Sequence, residues 1–113
     1  MIDDSSIECS LIIPAYNEAA IIIKHLGEVE AYMRDHLPDV AYELIVVDDG
    51  STDGMAQLIE EHIKAHPAVH LVRHERNRGR GKAIRTGFDE SRGDFVICLD
   101  ADLSYASEHI AKL

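Results

Sequence analysis

Four short apolar runs, separated by helical patterns and by turns rich in Asp, Asn and Gly, constrain this 113-residue chain more than any other feature. Cys9-Ser10-Leu11-Ile12-Ile13 is rich in β-branched residues and closed by Pro14, so it reads as a buried strand. Leu44 to Val47, Val69 to Val72 and Phe95 to Leu99 repeat the pattern. Between the first two runs, Ile22, Leu26, Val29, Met33 and Leu37 recur at spacings of 4, 3, 4 and 4, the core stripe of a helix. Asn17 is placed to cap that helix, with Glu18 in its first turn, and Pro38 ends it. Next, Met55, Leu58, Ile59, His62 and Ile63 share one helix face, and Lys82 to Arg92 suits a third helix that Gly87 weakens. Near-continuous apolar strands alternating with helices predict an α/β fold, an open parallel sheet with helices on both faces. No repeat, low-complexity tract or linker intervenes, so residues 1–113 read as a single domain.

Charge and composition narrow the partners. Eleven Lys and Arg against 21 Asp and Glu give a net charge of −10, which argues against a general nucleic-acid binder. The apolar runs fall far short of the ~20 residues a membrane span needs. Met1-Ile2-Asp3-Asp4 is acidic where a signal peptide carries basic residues, so a cytoplasmic location is expected. Cys9 and Cys98 each sit inside an apolar run and read as buried thiols in a reducing compartment rather than a bridge. The net charge conceals an asymmetry. Arg73, Arg76, Arg78, Arg80, Lys82 and Arg85 lie close together with Glu75 as the only acid among them, so this segment carries +5 and the remainder −15. A short basic stretch in an acidic chain suits a phosphate-bearing partner, although a solvated loop face has the same pattern.

Ligands of open α/β sheets bind in the crevice beyond the carboxyl ends of the strands, and all four ends here are conspicuous. The first leads into Pro14-Ala15-Tyr16-Asn17-Glu18, the second into Asp48-Asp49-Gly50-Ser51, the third into the basic segment and the fourth into Asp100-Ala101-Asp102. A strand order 3-2-1-4 puts the topological switch between strands 1 and 4, with Tyr16 and Asp100 across one crevice. Carboxylates at i and i+2 of an extended segment point the same way, so Asp100 and Asp102 can converge on one hard cation. Oxygen-only ligands select Mg2+ or Mn2+ over zinc. Helix capping or turn chemistry is the competing reading for each aspartate alone. The usual phosphate cradles are absent: Arg76 stands where a P-loop needs glycine, and the first strand-to-helix turn lacks the dinucleotide fingerprint. Lys82 is the best basic candidate for a phosphate, or else a solvent-facing helix start. His62 reads as packed or edge-exposed, and the other histidines show no metal-ligand spacing with cysteine. Cys98 lacks an evident base partner and is not read as a catalytic thiol.

Taken together, Pro14-Ala15-Tyr16-Asn17-Glu18, Val47-Asp48-Asp49-Gly50-Ser51-Thr52-Asp53, Asn77-Arg78-Gly79-Arg80-Gly81-Lys82-Ala83 and Asp100-Ala101-Asp102 resemble, in order, the inverting family 2 glycosyltransferases. The similarity is closest to the polyprenyl-phosphate (dolichyl-phosphate-type) mannosyl- and glucosyltransferase branch and runs from Cys9 to Leu113. A lone Asp-x-Asp is common by chance; four motifs at successive strand ends are specific.

The resemblance implies a GT-A fold, with these residues as its nucleotide-sugar-binding half. It implies a nucleotide pocket lined by Pro14, Tyr16 and Glu18, with Val47 and Asp49 around base and ribose and Ala101 close to the nucleotide. Asp100 and Asp102 would hold Mg2+ or Mn2+ on the diphosphate of a GDP- or UDP-linked sugar, where the cation stabilises the leaving group. Asp48 would support the turn. The implied acceptor is a polyprenyl phosphate, which adds peripheral association with the cytoplasmic membrane face. Catalytic domains of the family continue well past the Asp-x-Asp strand, to a catalytic carboxylate and acceptor-site arginines. The 113 residues alone are therefore expected to be inactive and, with strand 4 as an apolar edge, to self-associate. Two alternatives stand beside this reading. A sugar-phosphate nucleotidyltransferase would carry a Gly- and Arg-rich loop after strand 1, and a phospho-receiver signalling module would lack the Pro-x-Tyr-Asn-Glu segment.

Overall fold

A computed structural model describes residues 6–99. Its elements follow the alternation: β1 (Cys9–Ala15), α1 (Ile22–His36), β2 (Tyr42–Asp48), α2 (Met55–Ile63), β3 (Val69–Arg73), α3 (Arg80–Glu90) and β4 (Phe95–Cys98). The strands form one sheet in the order β3-β2-β1-β4, with every pairing parallel. This is the expected order and fold class. β1 runs one residue beyond Pro14 because β1–β4 pairing ends at Ile12↔Cys98, while Pro14 still pairs with Val47 of β2. The amide that proline lacks falls on the β4 side, where that ladder has stopped.

Side chains alternate between the two faces, as a period of two requires. Leu11, Ile13, Leu44, Val46 and Val69 point to the face covered by α1 and α2, where Ile22, Leu26, Val29, Met33, Met55 and Ile59 meet them. Ile12, Ile45 and Val47 point to the other face, against Ala83 of α3. That second layer is thin because Gly87 lets α3 approach closely: a Cβ there would stand 2.5 Å from Ile12 Cγ2. Gly87 is thus a packing requirement of α3 rather than only a weakness in it. Ser10 and Glu43 share this face, both buried, with Ser10 Oγ donating to Glu43 Oε2 at 2.6 Å. The Arg92 amide donates to the same oxygen at 2.7 Å and the Gly93 amide to Ser10 Oγ at 2.8 Å, fixing where β4 begins.

Local details depart from the sequence expectation. Asn17 does not cap α1, whose N-cap is Ile21; it takes a left-handed conformation and joins two loops instead. Leu58 is 44% exposed and Ala56 takes its place inward, because the buried side of α2 centres on Met55, Ala56 and Ile59. Cys98 is exposed, not buried, since it ends the edge strand β4; neither cysteine is in a disulfide. Burial, followed by the negative charge of Glu8, pushes the Cys9 thiol up, so it stays protonated. Phe95 is 70% exposed on the same edge. Among the described residues no helix is long and apolar enough to cross a membrane.

Candidate functional site

The carboxyl ends of β1, β2 and β3 open on one side of the sheet, and the loops that follow are bonded to one another. The Asn17 amide donates to Ser51 Oγ at 2.8 Å, while Asn17 Oδ1 accepts from the Thr52 amide at 2.8 Å. Asp53 Oδ2 accepts from the Ala19 amide at 2.9 Å. The β1 and β2 loops therefore move as one piece. Asn17 reaches this position with a φ of +52°, a conformation that asparagine tolerates better than most residues. Asp48 supports the turn as expected, with Oδ1 accepting from the Ser51 amide at 2.8 Å. Its Oδ2 is buried without a hydrogen bond; Arg73 Nε lies 3.4 Å away, near enough for charge attraction but not aligned to donate.

Asp49 does more than its sequence suggested. It is 4% exposed, and its Oδ1 accepts from His74 Nδ1 and from the Arg78 amide, each at 2.8 Å. Its Oδ2 accepts from the Gly79 amide at 2.8 Å. Burial opposes a charge there, but the His74 hydrogen bond and the two amides outweigh it and hold the carboxyl below its ordinary value. His74 reaches on through Nε2 to Thr86 Oγ1 of α3 at 2.8 Å. One carboxylate thus clamps the basic loop, and through it the start of α3, against the end of β2. Gly50 makes the approach possible. Its φ is +81°, and a Cβ on it would lie 2.4 Å from the Arg76 carbonyl carbon and the Asn77 nitrogen.

Above this buried acidic floor stands an exposed basic rim of Arg76, Arg78, Arg80 and Lys82. Tyr16, 45% exposed, faces solvent from the end of β1, and Glu18 is half-buried beside it. Pro14 is buried in β1, and Val47 is wholly buried beneath α3, so neither offers an exposed side chain. Asp100, Ala101 and Asp102 lie outside the described residues. Leu99, the last described, is 5% exposed, and its amide donates to the Ile12 carbonyl at 2.8 Å. The structure brings Tyr16, Glu18, Asp49 and the basic loop to one edge. Sequence reasoning missed His74, whose only signal was its place one residue beyond the third strand.

A parallel sheet with loops locked together at its carboxyl edge, an acidic floor and a basic rim, defines an open α/β protein of the class that takes its ligands at that edge. The glycosyl transferase family 2 profile matches residues 10–113, and the chain belongs to that family. A dolichyl-phosphate beta-glucosyltransferase of Trichomonas vaginalis is 35% identical over 101 residues, which cover 87% of this chain and 30% of that protein. An undecaprenyl-phosphate 4-deoxy-4-formamido-L-arabinose transferase of Pseudomonas paraeruginosa is 43% identical over 105 residues, 92% of this chain and 30% of that one. Among solved structures, a mannosyltransferase from Pyrobaculum calidifontis in complex with GDP-Man and Mn2+ superposes with a TM-score of 0.77. It is 33% identical, over 92% of this chain and 30% of that chain. TarS of S. aureus with UDP-GlcNAc gives 0.71 at 27% identity, over 94% of this chain and 32% of that one. The chain therefore spans about 30% of the length of the curated relatives it matches. This membership displaces the nucleotidyltransferase and receiver alternatives.

Proposed function

We propose that the chain is the nucleotide-sugar-binding half of an inverting glycosyltransferase that passes a sugar from a GDP- or UDP-linked donor to a polyprenyl phosphate. The observation that carries the reading is the Asp49 clamp. It ties the basic loop, with its exposed arginines, to the end of β2, at the same carboxyl edge of the sheet that carries Tyr16, where open parallel sheets take their ligands. The relatives named for polyprenyl-phosphate substrates support the acceptor, and the neighbours holding GDP-Man with Mn2+ or UDP-GlcNAc support the donor. In this reading Tyr16 and Glu18 line the nucleoside pocket, and Pro14 and Val47 shape its floor through the backbone. Asp49 serves the nucleoside by holding the loop that borders it. Asp100 and Asp102 hold Mg2+ or Mn2+, with Ala101 close to the nucleotide; two carboxylates are a hard-oxygen donor set that suits either ion. Bound there, the cation supplies Lewis-acid stabilisation of the leaving diphosphate. An acceptor of this type places the whole enzyme at a membrane surface.

Manganese binding followed by electron paramagnetic resonance separates these roles. Asp102→Asn is expected to lose far more Mn2+ affinity than Asp49→Asn, which should instead weaken nucleoside diphosphate binding. Equal losses of Mn2+ in the two variants would overturn the assignment.

A further inference from the structure

Three side chains that the donor site does not use converge between α1 and α2. Because α2 runs back from the carboxyl end of β2, its last turn lies toward the amino ends of the strands, away from the loops described above. His62 belongs to that turn, His66 follows four residues later, and Glu30 comes from α1. Glu30 Oε1 lies 2.9 Å from His62 Nε2, and Glu30 Oε2 lies 3.1 Å from His66 Nδ1. The two imidazoles are stacked, with centroids 3.8 Å apart and planes within 5°, so both turn a ring nitrogen to one carboxylate. The side chains of His62 and Glu30 are 9% and 14% exposed and that of His66 is 41% exposed, which leaves the cluster open on the His66 side.

We propose that Glu30, His62 and His66 form a binding site for a borderline divalent transition-metal cation of the zinc type, with a coordination position left to solvent. One ligand atom from each residue lies within 4.8 Å of the other two. Metal–ligand bonds of about 2.0–2.2 Å hold ligand atoms about 3.3–3.6 Å apart and in the plane of each imidazole, so binding requires the ring stack to open and the Glu30 contacts, now 2.9 and 3.1 Å, to lengthen slightly. His66 lies beyond the end of α2, and a shift of the turn that carries it supplies that movement. Two imidazoles and one carboxylate suit Zn2+, Co2+ or Ni2+ and discriminate against Mg2+, so this site and the oxygen-only site of the sugar donor select different ions. A cation here joins α1 to α2 and stabilises the folded chain with the logarithm of its free concentration once that exceeds the dissociation constant.

Cobalt is the direct probe. The 113-residue chain, made without a polyhistidine tag and stripped with chelator, is titrated with Co2+ and then with Zn2+, and melted with and without Zn2+. One equivalent of Co2+ should give the visible ligand-field bands of a four- or five-coordinate site, Zn2+ should bleach them, and Zn2+ should raise the melting temperature. Glu30→Gln and His66→Ala should each weaken binding by at least ~100-fold, the upper end of what losing an outer-sphere partner costs. His70→Ala, on the opposite face of the sheet, should leave binding unchanged. His66 is exposed enough for its variant to fold, and a melt without metal checks that it does. Absence of the bands in the parent chain, or bands that persist in both variants, would reduce the cluster to hydrogen bonds alone and overturn the proposal.

Discussion

The two faces of the sheet are built on different principles. Among the described residues, fourteen buried ones form a deep layer with α1 and α2; the corresponding layer with α3 has four, with a glycine at the closest approach and two buried polar side chains beside it. The deep face supplies the apolar burial that holds the chain folded. The shallow face supplies position: its helix begins in the basic loop that Asp49 clamps, so a shift of α3 is a shift of the candidate site. Stability and site geometry are therefore separable by mutation.

The largest effect is expected on the deep face. Leu26→Ala empties a fully buried position of α1 and should cost ~2–5 kcal/mol in denaturant unfolding. The fraction that remains folded should bind nucleotide with unchanged affinity. On the shallow face the expected pattern reverses. Gly87→Ala forces a methyl to 2.5 Å from Ile12 Cγ2 and should cost ~1–3 kcal/mol, yet weaken nucleotide binding beyond what the stability loss explains. If Leu26→Ala lowered affinity as much as Gly87→Ala does, the two faces would not be separate.

Asp49 sharpens the comparison through pH. Its folded carboxyl lies below the ordinary value of 3.8, so its contribution to stability is complete above that value and disappears as pH falls through the folded one. Asp49→Asn should flatten that part of the acid-unfolding curve, whereas a deep-face variant such as Leu26→Ala should lower the whole curve without changing its shape. Unfolding at a series of acidic pH values distinguishes the two. The smallest effect concerns the β4 edge. With Phe95 exposed there, sedimentation should depend on concentration, and Phe95→Lys, which charges the edge, should reduce that dependence.

The sequence made the framework legible and the connections within it only partly so. Period-two and period-3.6 patterns depend on which face a residue presents, and they were enough for the four strands and three helices; the strand order came from the switch-point rule that sets Tyr16 and Asp100 across one crevice. Asp48 as a turn residue was implied by the family resemblance, and the turn chemistry of an aspartate at a strand end agrees with it. Asn17, Leu58 and Cys98 depart from the sequence expectation because their surroundings come from distant parts of the chain: the β2 loop, the packing of α2 and the outer edge of β4. The partnership of Asp49 with His74, Arg78 and Gly79 spans up to 30 residues and has no periodic trace. The pairing of Glu30 with His62 and His66 is equally long-range, although the four-residue spacing of the two histidines is itself a local signal.

The most direct measurement is calorimetric titration of the chain with GDP and with UDP, in Mn2+ and again with chelator in its place. Binding of at least one nucleotide in Mn2+, lost with chelator and weakened by Asp49→Asn, is the expected result. Equal affinity with and without the cation, or no binding of either nucleotide to a chain shown to be folded, would contradict the reading of the strand-end edge as a cation-dependent donor site.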